Sequence, residues 1–112
     1  MSNEQELYIL AKNIANNVRG RQIVLWGDSP ELRNILKKEF NLEVSFVVTI
    51  LDNIVNGKSV RHLRSIEGKK EQFYLVAFGR VYEDYYDKLI HQYGGCKRFY
   101  IQKNKADCVG KF

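Results

Sequence analysis

A chain of 112 residues has room for one hydrophobic core and not two. Its 45% hydrophobic content is that of a folded domain and excludes a disordered one. The net charge of +5 points either to an anionic partner (nucleotide, nucleic acid, acidic lipid or phosphorylated sugar) or to a well-solvated basic surface.

Ser2 and Asn3 stand three residues before Gln5 and Glu6, the spacing of a capping box, and Leu7, Leu10, Ala11, Ile14 and Val18 recur at three and four. This predicts an amphipathic helix over 1–20 that Gly20 stops and that packs as an extra N-terminal layer on the sheet that follows. Ile23 to Trp26 is apolar throughout and fits a buried parallel strand. Asp28 is placed to cap the next helix, with Glu31 closing a capping box and Pro30 in the first turn. Leu32, Ile35, Leu36 and Phe40 form the apolar face of that helix, and Asn41 suits a left-handed stop.

Val44 to Leu51 is rich in β-branched residues and predicts a second strand. A polar turn over 52–58 follows, then a short helix from Val60 to Ile66 and a charged turn from Glu67 to Glu71. Phe73 to Phe78 predicts a third strand ending at Gly79. Tyr82, Tyr85, Tyr86, Leu89, Ile90 and Tyr93 mark one face of a helix closed by Gly94 and Gly95, and Phe99 to Gln102 predicts a fourth strand.

Strands that alternate with helices predict a three-layer α/β domain of Rossmann-like type. Right-handed crossovers give a parallel sheet of four to five strands in the order 2-1-3-4. The whole of 1–112 is read as one domain: an N-terminal helix over 1–20, an α/β core over 22–102, and a segment over 103–112 that is a tail or the start of a further domain.

In such a sheet, ligands bind beyond the carboxyl ends of the strands where strand order reverses, here between the first and third strands. The candidate ligand-binding residues are Gly27, Asp28 and Ser29 after the first strand, Asp52 and Asn53 after the second, and Gly79 and Arg80 after the third. A phosphate cradle needs bare backbone amides at the helix start. Here the later glycines of G-x-G-x-x-G are missing, Pro30 removes a donor, and Asp28 brings a negative charge. Asp52 has two readings, an acceptor for ribose hydroxyls or a turn former with Asn53. Arg80 is either a phosphate ligand or a solvated arginine.

His62, between Arg61 and Arg64, and His91, late in a helix, have no neighbouring nucleophile or carboxylate in any recognisable arrangement, so no catalytic residue is assigned. Cys96 and Cys108 lack the spacing of a zinc site, and no metal is expected. With no leader pattern and no apolar run of bilayer length, the expectation is a cytoplasmic protein without membrane contact. The Tyr82, Tyr85 and Tyr93 face suggests a homodimer. Lys97, Arg98, Lys103, Lys105 and Lys111 give the C-terminal region a basic skin that, with Phe99 and Tyr100 nearby, could touch nucleic acid, but no aromatic sheet motif or recognition helix accompanies it, and nucleic acid is not an expected partner.

Trp26-Gly27-Asp28-Ser29 after a strand, Asp52-Asn53 followed by Gly57-Lys58-Ser59-Val60, and Gly79 before a tyrosine-rich helix ending in Gly94-Gly95 resemble small Rossmann-like domains of bacterial surface-polysaccharide enzymes. Such domains precede sugar acyltransferases of the left-handed β-helix type or are appended to sugar methyltransferases. The resemblance covers about Gln22 to Gln102 and implies a site for a nucleotide sugar, such as a UDP- or CDP-sugar, or a sugar phosphate. It implies a binding module of a transferase without catalytic residues of its own. The hexapeptide repeats that carry acyl transfer are absent from the chain. Two other readings stand beside it: a degenerate Rossmann scaffold for protein association or regulation, and a small enzyme using a nucleotide or S-adenosylmethionine.

Overall fold

The computed structural model describes residues 3–51, 60–77, 87–89 and 91–102. Helix α1 (Asn3–Asn17) turns its Leu10, Ala11 and Ile14 inward and ends in a left-handed pair, Arg19 at φ 49° and Gly20 at φ 81°. Strand β1 (Gln22–Trp26) leads to helix α2 (Pro30–Phe40), which ends where Asn41 takes φ 56° and its N–H donates back to the Lys37 carbonyl. The expected left-handed stop at Asn41 is therefore in place. Strand β2 (Val44–Thr49), the short β3 (Val60–His62), β4 (Phe73–Ala77) and β5 (Tyr100–Gln102) complete the sheet.

The five strands are all parallel, in the order β3-β2-β1-β4-β5. The four strands read from the sequence keep their expected neighbours. The fifth, β3, comes from residues expected to be helical. Val60, Leu63 and Ile66 recur at intervals of three, which a 3-10 turn satisfies as well as an α-helix does. The chain splits the segment: Val60–His62 pairs with Val47–Thr49 of β2, and Leu63–Ile66 forms a 3-10 turn with Leu63 and Ile66 buried.

Successive side chains of β1 point to opposite faces, as strand geometry requires. Ile23 and Leu25, with Val47, Tyr74 and Val76, lie under α1 and α2, which pack side by side. The N-terminal helix thus shares the layer of α2 and adds no layer outside it. Val24 and Trp26, with Phe46, Val48, Leu75 and Ile101, lie under Leu63, Ile66, Leu89 and Tyr93 on the other face. A register shift between Ile23 and Val24 skips Ser45 of β2, so Val44 and Phe46 serve opposite cores although they are two residues apart. β1 is paired on both sides and buried on both faces, which explains its unbroken apolar run.

Residues 87–89 and 91–93 are helical, and Gly94 at φ 85° and Gly95 at φ 50° close that segment as the sequence predicts. Tyr93 corrects one expectation. It is only 7% exposed and packs into the chain's own core, so it offers no face to a partner. Its ring lies 6.4 Å from that of His62 and belongs to the core cluster that holds Phe46 and Leu63, where burial of a large apolar body is worth roughly 1.5–3 kcal/mol. Tyr82 and Tyr85 lie outside the described residues.

Candidate functional site

Parallel pairing puts Trp26, Val48 and Ala77 at one level, so β1, β2 and β4 end together at the carboxyl edge. From β1 the chain builds outward through β2 and β3, then crosses back to place β4 on the other flank. The reversal between β1 and β4 is the position at which open parallel sheets hold their ligands. Gly27 leaves β1 there at φ 98°, a conformation that a side chain would strain.

The first turn differs from expectation in one respect: Ser29, not Asp28, is the helix cap. Ser29 has extended geometry (φ −146°, ψ 102°), and its Oγ accepts the Leu32 N–H at 3.2 Å. Its carbonyl accepts the Arg33 N–H at 3.0 Å. Pro30 explains the shift. Its fixed φ and missing N–H suit the first helical position, which makes the preceding residue the cap. Glu31 then falls at the second helical position and cannot close a capping box. Asp28 turns outward and pairs with Arg33 Nε at 2.7 Å on the surface, where such a pair contributes little.

This capping decides what the turn can offer an anion. Pro30 has no N–H, and the Leu32 N–H is taken by Ser29. Among the described residues, Glu31 carries the one first-turn amide without a bond inside the helix or cap. Ser29 is itself buried, so its hydroxyl is not presented at an open surface. With Asp28 and Glu31 both acidic, the helix start is poorly suited to a pyrophosphate.

After β2 the chain turns at once: the Leu51 N–H donates to Thr49 Oγ1 at 3.0 Å, and Leu51 is exposed. Asp52, Asn53, Gly79 and Arg80 lie outside the described residues, so of the expected mouth the structure describes Gly27, Asp28 and Ser29. The Arg61-His62-Arg64 run noted in the sequence stands at the end of β3. His62 Nδ1 accepts the Arg64 N–H at 3.1 Å and so caps the 3-10 turn. The Arg61 guanidinium lies 4.1 Å over the Phe46 ring, and that of Arg64 lies 5.8 Å from the Tyr93 ring. The Arg61-His62-Arg64 run is thus tied to the aromatic core beneath it. His91 is exposed.

Among the described residues no three His, Cys, Asp or Glu side chains gather in a way that would hold a metal ion, and no helix is long and apolar enough to cross a membrane. Comparison with protein-family models, with curated proteins and with solved structures finds no match to this chain.

Proposed function

We propose that this chain is a non-catalytic module that binds a nucleotide sugar or sugar phosphate, such as a UDP- or CDP-sugar, at the carboxyl edge of its sheet. The observation that carries the reading is the reversal of strand order beside β1, with Gly27 at φ 98° standing at that point. The resemblance of 22–102 to domains of bacterial surface-polysaccharide transferases supplies the setting. Because the amides at the start of α2 are largely engaged, the sugar or nucleoside end would lie nearest Gly27 and the phosphate charge would fall to Arg80. Asp52 would accept bonds from sugar hydroxyls.

Calorimetry with a panel of UDP- and CDP-sugars tests this, followed by amide chemical-shift mapping. Saturable heat, with shifts at Gly27, Asp28, Thr49 and Leu51, is the expected result. No heat at millimolar ligand, or shifts confined to α1, would overturn it.

One observation favours a second reading, a Rossmann scaffold that serves protein association. The first turn, where a nucleotide phosphate would sit, is filled by its own cap and carries two carboxylates. On this reading sedimentation shows a dimer that Tyr85→Ala weakens. A monomer at all concentrations that also binds a sugar nucleotide would remove it.

A further inference from the structure

The parallel ladder aligns the residues that precede the strands as well as those that follow them. Gln22 N–H donates to the Gln72 carbonyl at 2.8 Å, and Gly68 N–H to the Arg98 carbonyl at 3.0 Å. Arg21 Nε donates to the Lys70 carbonyl at 2.7 Å. Segments 19–21, 67–72 and 97–98 therefore form one continuous rim at the amino edge of β1, β4 and β5. The rim carries Arg19, Arg21, Lys69, Lys70, Lys97 and Arg98 against Glu67 and Glu71, a net +4 out of the chain's +5. The three neighbouring strands at whose starts this charge gathers span about 10 Å across their backbones.

Two of these arginines are held in position. The Arg21 guanidinium is fixed by the bond to Lys70 and lies 4.3 Å over the Tyr100 ring. The Arg98 side chain runs across two glycines at positive φ. A Cβ at Gly94 would overlap Arg98 Cγ, and a Cβ at Gly68 would come within 3.1 Å of Arg98 Nη2. The guanidinium end is exposed, and its contact with Glu67 is long, at 3.9 Å. A guanidinium fork that is already ordered loses little entropy on meeting a phosphate and can bind it through two donors.

We infer that this rim docks the phosphate backbone of nucleic acid, without reading bases. A net +4 across so narrow a rim exceeds what a single phosphate neutralises. It is matched by a polymer of closely spaced charges, such as duplex DNA with one charge per about 1.7 Å of axis. Base stacking is not offered at the rim, since the Tyr100 ring is covered by Arg21. A lipid surface would call for an apolar anchor beside the cations. The exposed large apolar side chains among the described residues are instead Tyr8 and Ile9 on α1 and Leu51 at the opposite edge. The inference concerns the edge away from the proposed sugar-nucleotide site and does not rest on that site.

Fluorescence anisotropy of the full chain with a labelled DNA duplex of about 20 base pairs tests it. Binding is expected at low salt, with affinity falling about a hundredfold between about 50 and 200 mM salt, the slope of about four phosphate contacts. Arg98→Ala and Lys69→Ala should each weaken binding about three- to tenfold and reduce the salt slope by about one. Lys12→Ala on the exposed side of α1 should change neither. Lys69 lies in an exposed turn, so its variant keeps the test valid if Arg98→Ala loses structure, which circular dichroism reads. Absence of duplex binding at low salt would overturn the inference. So would Lys69→Ala binding like Lys12→Ala, or phosphatidylserine vesicles or polyglutamate binding as tightly as the duplex.

Discussion

The two edges of the sheet are built by opposite means. At the carboxyl edge the backbone is special and the charge is mixed: Gly27 takes φ 98°, Ser29 is buried in a cap, and Asp28 and Arg33 cancel one another. At the amino edge of β1, β4 and β5 a net positive charge accumulates, and Gly68 and Gly94, both at positive φ, leave room for the Arg98 side chain. A parallel sheet makes the division possible, because it sends all its strand starts to one end and all its strand ends to the other. One end is free to shape a cavity while the other carries a field.

The largest effect should come from the carboxyl edge. Trp26 is the last residue of β1, and it is buried against Phe46, Val48 and Leu75 in one core cluster. Trp26→Ala should cost about 3–5 kcal/mol, read by urea denaturation, because neighbours fixed by a five-stranded ladder cannot collapse into the space. A loss under about 1 kcal/mol would mean that this end of the sheet is loosely packed, and the contrast between the edges would weaken.

Next comes the seat of Arg98. Gly94→Ala places a side chain at φ 85° and drives its Cβ into Arg98 Cγ, so a loss of about 2–3 kcal/mol is expected. In an Arg98→Ala background the overlap disappears and only the backbone term of about 1–2 kcal/mol remains. A double-mutant cycle measures the difference. Equal losses in both backgrounds would show that Arg98 is not held by this turn. Gly68→Ala should be milder, because its Cβ would come to 3.1 Å from Arg98 Nη2, which a shift of a few tenths of an ångström relieves.

The cap gives a smaller effect. Ser29→Ala leaves the Leu32 N–H without its acceptor in a buried place and should cost about 1 kcal/mol. Asp28→Ala should cost almost nothing by the same denaturation assay, since its pair with Arg33 is on the surface. The reverse order would return the cap to Asp28.

That reversal of roles shows where the sequence is legible. β1, β2 and β4 are readable because each is a largely apolar run set between turn residues, as burial on both faces demands, and β5 is readable from the buried Phe99 and Ile101. β3 is not readable, because three residues at the sheet border carry no period of their own and their pairing depends on β2 being present. The choice between Asp28 and Ser29 depends on how Pro30 fits the first turn, a matter of one residue that composition does not resolve. The basic rim is legible only through Lys97 and Arg98, for a different reason. Its cations lie in three segments separated by dozens of residues, and only the register of the sheet brings them together.

The smallest prediction tests how far the basic rim extends. Glu43 precedes β2, on the same edge, and accepts a 2.6 Å bond from Lys37 Nζ. The hydrogen bond and then the charge of Lys37 lower the Glu43 pKa from its ordinary value of 4.5, against a slight opposing effect of burial. A carboxyl whose folded pKa is depressed stabilises the fold above the unfolded value and loses that contribution as pH falls through the folded one. The window therefore lies at and below 4.5. Lys37→Met should return the Glu43 titration toward 4.5, read by side-chain carboxyl NMR, and should flatten the acid limb of stability in that window. An unchanged titration would assign the depression to the general positive field of the edge rather than to Lys37. The basic rim would then reach β2 as well as β1, β4 and β5.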